Sequence, residues 1–216
     1  MKLFLDTADV ATIQSAYSTG LIDGLTTNPT LMMKSGDIPD KVYYELKHLG
    51  IRDISMEVVA DTSQDMLDEA RRLIGLFGDC VTIKVPCTPE GLKACKELAK
   101  QNVRVNVTLI FSAAQAILSS KAGATYVSPF VGRVDDNSFD GVQLVKDISA
   151  LYKEQLARTQ VLAASLRDVR SVSECFTGGA DIVTMPTSVF DKMYKHILTD
   201  KGTELFQQDW ESVNGK

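Results

Sequence analysis

The sequence alternates short runs of apolar and β-branched residues with longer amphipathic segments, and this unit occurs eight times. Each short run predicts a strand, and a helical pattern follows each one. The predicted strands are Lys2–Leu5, Gly24–Thr26, Asp53–Val58, Val81–Val85, Val103–Val107, Ala124–Ser128, Gln160–Ala164 and Asp181–Thr184. Strands that alternate with helices form parallel sheets. Eight units closing on themselves therefore predict an α/β protein of the (β/α)8 TIM barrel class, with a parallel eight-stranded barrel.

The chain length fits one such barrel. The 216 residues lie near the lower size limit of the fold, and no linker interrupts them. We therefore expect a single (β/α)8 domain over residues 1–216. A doubly wound open sheet is the competing architecture, although its usual GxGxxG motif is missing from the sequence. The polar segment Gly132–Gly141 is interpreted as a long loop after the sixth strand.

Several helix starts are marked by capping residues. Thr7 is predicted to cap a first helix that begins at Ala8, and Asp61 or Thr62 a helix that ends near Phe77. Thr88 precedes a proline, which the first helical position tolerates because that position needs no N–H donor. Ser112 stands three residues before a glutamine, which is the spacing of a capping box.

The charge balance excludes some classes of partner. Lys and Arg total 23 against 28 Asp and Glu, so the net charge is −5. A chain with this balance has no basic field for phosphates, and we expect neither nucleic acid nor a membrane as a partner. The apolar runs are shorter than the roughly 20 residues that span a bilayer, and the start of the sequence lacks the pattern of a signal peptide.

The cysteines indicate a reducing compartment. There are four, with no CxxC pair among them and no histidine cluster nearby: Cys80, Cys87, Cys95 and Cys175. A zinc site or a disulfide framework is therefore not expected. We predict a cytoplasmic protein with four reduced thiols and no metal.

In a TIM barrel the chemistry lies at the carboxyl ends of the strands. Strand alternation places Lys84 on the face opposite Ile83, and so inside the barrel. A buried lysine is either locked in an ion pair or freed by desolvation to attack a carbonyl and form a Schiff base. Asp6, which follows the first predicted strand, and Glu57, in the third, favour the second interpretation, since iminium chemistry needs acid–base partners.

Two arginines follow adjacent strands. Arg133 comes after the sixth predicted strand and Arg167 after the seventh. Guanidinium groups at this end of a barrel suit bidentate binding of a phosphate. Each arginine alone is equally compatible with a solvated surface position.

Six ordered motifs stand at these strand ends: Leu5–Thr7, Gly24–Thr30, Ile83–Pro86, Asn106–Ser112, Gly123–Arg133 and Ala163–Arg167. Together they resemble the transaldolase family along essentially the whole chain. The compact length is similar to the small subgroup that includes the fructose-6-phosphate aldolases. The resemblance implies a metal-independent, cofactor-free class I enzyme of the pentose phosphate pathway.

The resemblance also implies residue roles. Lys84 matches the Schiff-base lysine and Asp6 the acid–base residue for C3–C4 cleavage, while Glu57 and Thr108 match the pair that holds a catalytic water. The implied reaction moves a dihydroxyacetone unit from sedoheptulose 7-phosphate or fructose 6-phosphate to glyceraldehyde 3-phosphate or erythrose 4-phosphate. The predicted substrate-binding residues are Asn28, Asn106 and Ser128 for the dihydroxyacetone part, Arg133, Ser165 and Arg167 for the phosphate, and also Thr26 and Phe130.

Alternatives remain open at this point. A fructose-6-phosphate aldolase would release free dihydroxyacetone. The residue pattern of those aldolases has Gln where this chain has Glu57, and Tyr where it has Phe130. Both positions follow the transaldolase pattern. A non-catalytic sugar-phosphate binder would be expected to lose Lys84 or Asp6, and this chain keeps both. A protein-interaction module fits less well, since the polar residues converge on one end of the barrel.

The last segment is predicted to form an additional C-terminal helix over residues 199–213. Phe206, Trp210 and Val213 recur at helical spacing and make an apolar stripe. Such a stripe packs either on its own barrel or on a neighbouring subunit. The small subgroup implies the second arrangement, within pentamers or decamers, and we therefore predict a homo-oligomer.

Overall fold

The computed structural model describes residues 1–215 and contains a closed parallel barrel. The strands follow one another around the barrel in chain order, and the first pairs with the last. They are β1 (Lys2–Asp6), β2 (Gly24–Thr26), β3 (Ile54–Glu57), β4 (Val81–Pro86), β5 (Val105–Ile110), β6 (Tyr126–Pro129), β7 (Gln160–Ala163) and β8 (Ile182–Met185). The predicted TIM barrel is confirmed, and the open-sheet alternative is wrong because β1 and β8 close the sheet.

Helices follow every strand. They are α1 (Val10–Tyr17), α2 (Pro29–Ser35), α3 (Pro39–His48), α4 (Ser63–Phe77), α5 (Pro89–Lys100), α6 (Ala113–Lys121), α7 (Val131–Asp136), α8 (Gly141–Glu154), α9 (Val169–Thr177), α10 (Thr187–Met193) and α11 (Ile197–Asn214). Two helices follow each of β2, β6 and β8. The extra helices α2 and α7 begin within three residues of the ends of β2 and β6, at the end of the barrel where the strands terminate.

The main hydrophobic core lies between the barrel and the helices. In β4, Val81, Ile83 and Val85 face the helices, while Thr82 and Lys84 point inward. The same period of two runs through the other strands, except in β5, where a register irregularity places both Val107 and Ile110 in the core against the helices. The alternation therefore decides which polar side chains reach the barrel interior.

The interior of the barrel is apolar in its lower part. Phe4, Tyr126, Leu162 and Ile182 form a second buried cluster there. Gly24 makes room for this cluster, since a Cβ at that position would lie 2.6 Å from the Phe4 ring. Polar side chains above the cluster are thereby confined to the carboxyl ends of the strands.

A charged network closes the opposite end of the barrel. Asp53 accepts hydrogen bonds from Thr82 Oγ1 at 2.7 Å and from Tyr126 Oη at 2.6 Å. Arg104 Nη1 lies 3.2 Å from the same carboxylate. A buried carboxylate costs little free energy when it is paired and hydrogen-bonded in this way. This network stabilises the barrel floor, far from the strand ends that carry the site.

The predicted start of the first helix is wrong. Helix α1 begins at Val10, and its N-cap is Asp9, whose Oδ1 accepts from the backbone N–H groups of Ala11 and Thr12. Thr7 accepts instead from the N–H of Asp9. A carboxylate that satisfies two free N–H donors caps a helix better than a hydroxyl two residues earlier. The caps predicted at Thr62, Thr88 and Ser112 are confirmed.

The interpretation of Gly132–Gly141 as a loop is also wrong. Helix α7 occupies its first part and α8 begins at Gly141. Val131 and Val134 are buried at helical spacing, but two apolar positions are too few to be recognised as a period. The fifth strand is displaced as well, since it runs from Val105 to Ile110 through a register irregularity against β6.

The terminal helix α11 has no buried residue. Phe206, Trp210 and Val213 are 72%, 69% and 70% exposed. The predicted helix is confirmed and extends slightly beyond both predicted ends. Among the described residues, 1–215, no helix combines the length and the apolar character that a membrane crossing requires.

Candidate active site

A polar cavity of about 90 Å³ opens where the barrel strands end. Its wall takes side chains from seven strands or the loops that follow them: Asp6, Thr26, Asn28, Lys84, Thr108, Ser128, Phe130, Arg133, Ala164, Ser165 and Thr184. One lysine, one carboxylate, one arginine and several hydroxyl groups thus face one small space. Convergence of this kind is typical of a catalytic site in a TIM barrel.

Lys84 is the buried cation of this cavity, with 4% of its surface exposed. Its Nζ lies 2.9 Å from Glu57 Oε2 and donates a hydrogen bond of 2.9 Å to the carbonyl oxygen of Thr27. Glu57 is opposite Lys84 in the β3–β4 register, so the two strands hold the pair at a fixed position. The amine is therefore fixed in direction before any ligand arrives.

Asp6 belongs to a chain of hydrogen bonds across β1, β2 and β8. Thr26 Oγ1 donates to Asp6 Oδ1 at 2.8 Å and lies 2.7 Å from Thr184 Oγ1. Since Thr26 has only one hydroxyl proton, Thr184 supplies the proton of the second bond. Burial raises the pKa of Asp6 above its usual value, and this effect outweighs the opposing attraction of Lys84 and the Thr26 bond.

Hydroxyl and amide groups line the wall formed by β5 and β6. Asn106 donates to Ser55 Oγ at 3.1 Å and accepts from Ser128 Oγ at 2.7 Å. Thr108 is 1% exposed, and its Oγ1 has no hydrogen-bond partner among the described residues. A buried hydroxyl of this kind needs a polar partner. Thr108 therefore offers the cavity a free donor and acceptor.

The cationic side of the cavity is built on α7 and the end of β7. The Arg133 guanidinium stacks 5.1 Å from the centre of the Phe130 ring. Ser165 has a left-handed backbone with φ of 61°, and its carbonyl accepts from Gly132 N–H at 3.1 Å. Arg167 forms a two-pronged ion pair with Asp136. The pair lowers the pKa of the Asp136 carboxyl.

Comparison with known proteins decides the family. The model of the Transaldolase/Fructose-6-phosphate aldolase family matches residues 3–216. The chain belongs to this family. It is 47% identical over 216 residues to a probable transaldolase of Paracoccus denitrificans, covering 100% of this chain and 99% of the relative. It is 48% identical over 213 residues to a probable transaldolase of Caulobacter vibrioides, with 99% and 98% covered.

A third relative is similar over almost the same length. The probable transaldolase of Kosmotoga olearia is 49% identical over 211 residues, which cover 98% of this chain and 96% of the relative. Identity is thus spread over the full length of both chains. The predicted resemblance of the chain to the transaldolase family is confirmed.

Most of the predicted site residues of this transaldolase-family chain meet in the cavity wall, and three are placed differently. Glu57 reaches Lys84 from the side of a second cavity, beside α2, α3 and α4. Asn106 is fully buried and contacts the cavity wall through the hydrogen bond that it accepts from Ser128. Arg167 is exposed and lies beside the cavity, paired with Asp136. Its side chain passes over Gly132.

Sequence reasoning missed some members of the site. Thr184 lies one residue before the end of β8 and lines the cavity; it ends the predicted eighth strand, so the same rule that selected Asp6 identifies it. Ser55 faces inward by strand alternation, two residues before Glu57, and holds Asn106. Asp136 follows no strand directly, so only the structure reveals its pairing with Arg167.

Proposed function

We propose that this protein is a transaldolase that transfers a dihydroxyacetone unit between sugar phosphates through a Schiff base on Lys84. The observation that carries the proposal is the buried Lys84 amine, which faces the cavity and lies 2.9 Å from Glu57. Asp6 lines the same cavity. A fixed amine with two acid–base groups nearby is the arrangement that iminium chemistry needs.

Asp6 takes up and later returns the proton of the proposed cleavage step. Lys84 adds to the C2 ketone of a ketose phosphate, and loss of water gives the iminium. Asp6 takes the proton of the C4 hydroxyl, the C3–C4 bond breaks, and its electron pair moves into the iminium to give an enamine. An aldose phosphate leaves. A second aldose phosphate then accepts the enamine carbon and regains the proton from Asp6, whose raised pKa makes it a stronger base.

Glu57 and Thr108 serve the proton transfers of imine formation and hydrolysis. Glu57 lies against the amine nitrogen, and Thr108 has a free hydroxyl in the cavity. Asn28, Ser128 and Thr26 offer polar groups to the dihydroxyacetone part. Asn106 orients Ser128 through the 2.7 Å hydrogen bond.

Arg133 and Ser165 hold the phosphate in this proposal, and Phe130 supports the Arg133 guanidinium. Arg167 joins them by exchanging Asp136 for the phosphate. Both partners of that ion pair are about half exposed, so breaking it to bind the phosphate costs little free energy. The substrates are ketose and aldose phosphates, and their place in the pentose phosphate pathway rests on the family resemblance.

A fructose-6-phosphate aldolase is the second candidate. Phe130 favours the transferase, because a phenyl ring carries no hydroxyl to protonate the enamine. The enamine then persists until an aldehyde acceptor arrives. A sugar-phosphate binder without turnover is the third candidate and is favoured by no contact in the cavity.

The test is reduction with borohydride in the presence of fructose 6-phosphate, read by peptide mass spectrometry. We expect a reduced three-carbon adduct on Lys84 that falls when erythrose 4-phosphate is added, as sedoheptulose 7-phosphate forms. The Lys84→Met variant, which removes the nucleophile, provides the control and is expected to lose activity by at least about 10³-fold. Free dihydroxyacetone appearing at a comparable rate supports the aldolase. An unmodified Lys84 in folded protein contradicts the mechanism.

We further propose a homo-oligomer, pentamer or decamer, in which α11 packs on a neighbouring subunit. Its support is the apolar stripe of α11, which its own barrel leaves exposed. Deleting the chain after Thr199 is expected to lower the number of subunits per particle, and an unchanged number of subunits contradicts this role. We propose the cytoplasm as the location, in keeping with four free cysteines.

A further inference from the structure

The ion pair between Lys84 and Glu57 stands between two different cavities. Lys84 lines the cavity at the strand ends, while Glu57 lines a second one of about 470 Å³. Asn28 lines both. The two side chains meet at 2.9 Å, so the pair forms part of the partition. A proton on Glu57 therefore has access to solvent on the side away from the substrate cavity.

The second cavity lies against α2, α3, α4 and the end of β3. Met32, Met33 and Leu73 give it apolar walls, and Asp37, Glu69 and Arg72 make other parts polar. Water fills a cavity of this size when several polar groups line it. The cavity thus brings solvent to the carboxylate of Glu57 from behind the lysine.

Schiff-base chemistry needs one water molecule to leave and one to return in each cycle. The first cavity, at about 90 Å³, has little space left for water once a sugar phosphate is attached to Lys84. Arg133 lies in the same wall, so a phosphate bound there narrows the first cavity further. The water exchanged at C2 consequently needs another route.

We propose that the cavity bounded by α2, α3 and α4 is the water channel of the Schiff-base reaction, through which water leaves and returns past Glu57, the proton-transfer group of the proposed function. In imine formation the Glu57 carboxyl gives its proton to the carbinolamine hydroxyl, the C2–O bond breaks, and water leaves into the second cavity. In hydrolysis the Glu57 carboxylate takes a proton from the entering water as its oxygen bonds to C2. This inference rests on the proposed function.

Obstructing the second cavity tests the route. Val59 and Met33 line it and are 65% and 74% exposed, so Val59→Trp and Met33→Trp add bulk at its walls without disturbing the core. Leu118→Trp, at a position 56% exposed on α6, is the matched control. Each variant is checked for an unchanged circular dichroism spectrum and for borohydride trapping on Lys84.

The readout is the fate of oxygen-18 at the C2 carbonyl of fructose 6-phosphate. Label is lost only when the water released from C2 escapes before it returns. We measure the label lost from recovered fructose 6-phosphate per aldose phosphate formed, corrected for exchange without enzyme. If the channel is obstructed, the released water returns to the same carbon, and this ratio falls about threefold or more in Val59→Trp and Met33→Trp but not in Leu118→Trp.

The other outcomes overturn the proposal in distinguishable ways. An unchanged ratio in both cavity variants means that water exchanges through the substrate cavity. An equal fall in Leu118→Trp means that the effect is not specific to the second cavity. Absence of any trapped adduct on Lys84 in the wild-type protein refutes the proposed function, and the water channel with it.

Discussion

At the residue scale, Asp6 is a carboxyl group whose surroundings oppose its negative charge. Burial outweighs the attraction of Lys84, so the pKa of the carboxyl is raised from its reference value of 3.8. The folded chain therefore binds this proton more tightly than the unfolded chain. The contribution of Asp6 to the free energy of unfolding is fully present below the pKa that Asp6 has in the unfolded chain. It is lost as the pH rises through the pKa that Asp6 has in the folded chain.

Asp6→Asn is therefore expected to stabilise the protein at neutral pH. The amide keeps the acceptor for Thr26 and removes the buried charge, so the free energy of unfolding at pH 7 rises by roughly 0.5–2 kcal/mol. The gain is expected to shrink as the pH falls towards 3.8. Urea denaturation at several pH values measures it, and activity is expected to fall at least about 100-fold.

Asp168 provides the control of opposite sign. Its pKa is lowered, chiefly because it accepts the backbone N–H of Ser171 at the start of α9. Asp168→Asn is expected to give no gain at neutral pH. An equal gain in both variants, or a loss in Asp6→Asn, contradicts the account of Asp6.

At the element scale, the contact between α7 and the end of β7 positions the cationic side of the site. A Cβ on Gly132 would lie 2.3 Å from the carbonyl oxygen of Ser165. Gly132→Ala is therefore expected to move α7 away from β7, at a cost of about 1–3 kcal/mol. Because Arg133 is the next residue, the KM for fructose 6-phosphate is expected to rise about tenfold.

Unphosphorylated fructose, offered with erythrose as the acceptor, distinguishes displacement of the phosphate side from general damage. As a donor it makes no phosphate contact, so its KM is expected to change much less in Gly132→Ala. Gly202→Ala on α11 is the matched control, since nothing lies within 4 Å of an added Cβ there. An equal rise in KM for both donors would mean that Gly132→Ala disturbs the site elsewhere than at the phosphate-binding side.

The strands and the helices differ in how much the sequence reveals. Alternation in β4 places Lys84 inside the barrel, and closure of eight strands then brings it near Asp6. Alternation cannot show how helices pack on one another, and the cavity behind Glu57 depends on α2, α3 and α4. The sequence did not reveal Asp136 for a similar reason. Helix α7 is only about one and a half turns long, which is too short for its apolar residues to show a helical period.

At the scale of the whole molecule, α11 is the element without a partner in its own barrel. Trp210 is 69% exposed, and Gln208 lies on the opposite face of the helix. In a homo-oligomer joined through the apolar stripe, Trp210→Asp places a charge in the interface. Sedimentation velocity is expected to show smaller particles for Trp210→Asp and unchanged ones for Gln208→Asp.

The folded barrel itself is expected to survive this change. Substitution at an exposed site usually alters the free energy of unfolding by less than about 0.5 kcal/mol. An unchanged sedimentation coefficient for Trp210→Asp contradicts an interface on this face. A large loss of barrel stability in the dissociated particles would mean that α11 packs on its own subunit.

The pairing of β1 with β8 has a consequence for the order in which the chain is made. Lys2 of β1 pairs with Ile182 of β8. Because β1 leaves the ribosome before β8, one edge of β1 stays unpaired until β8 has been synthesised. Asp6 and Thr26 are synthesised early, yet Thr184 reaches them only after that closure. An open parallel edge invites pairing with another nascent chain. Chains arrested before β8 are therefore expected to aggregate, without passing through a partly active form.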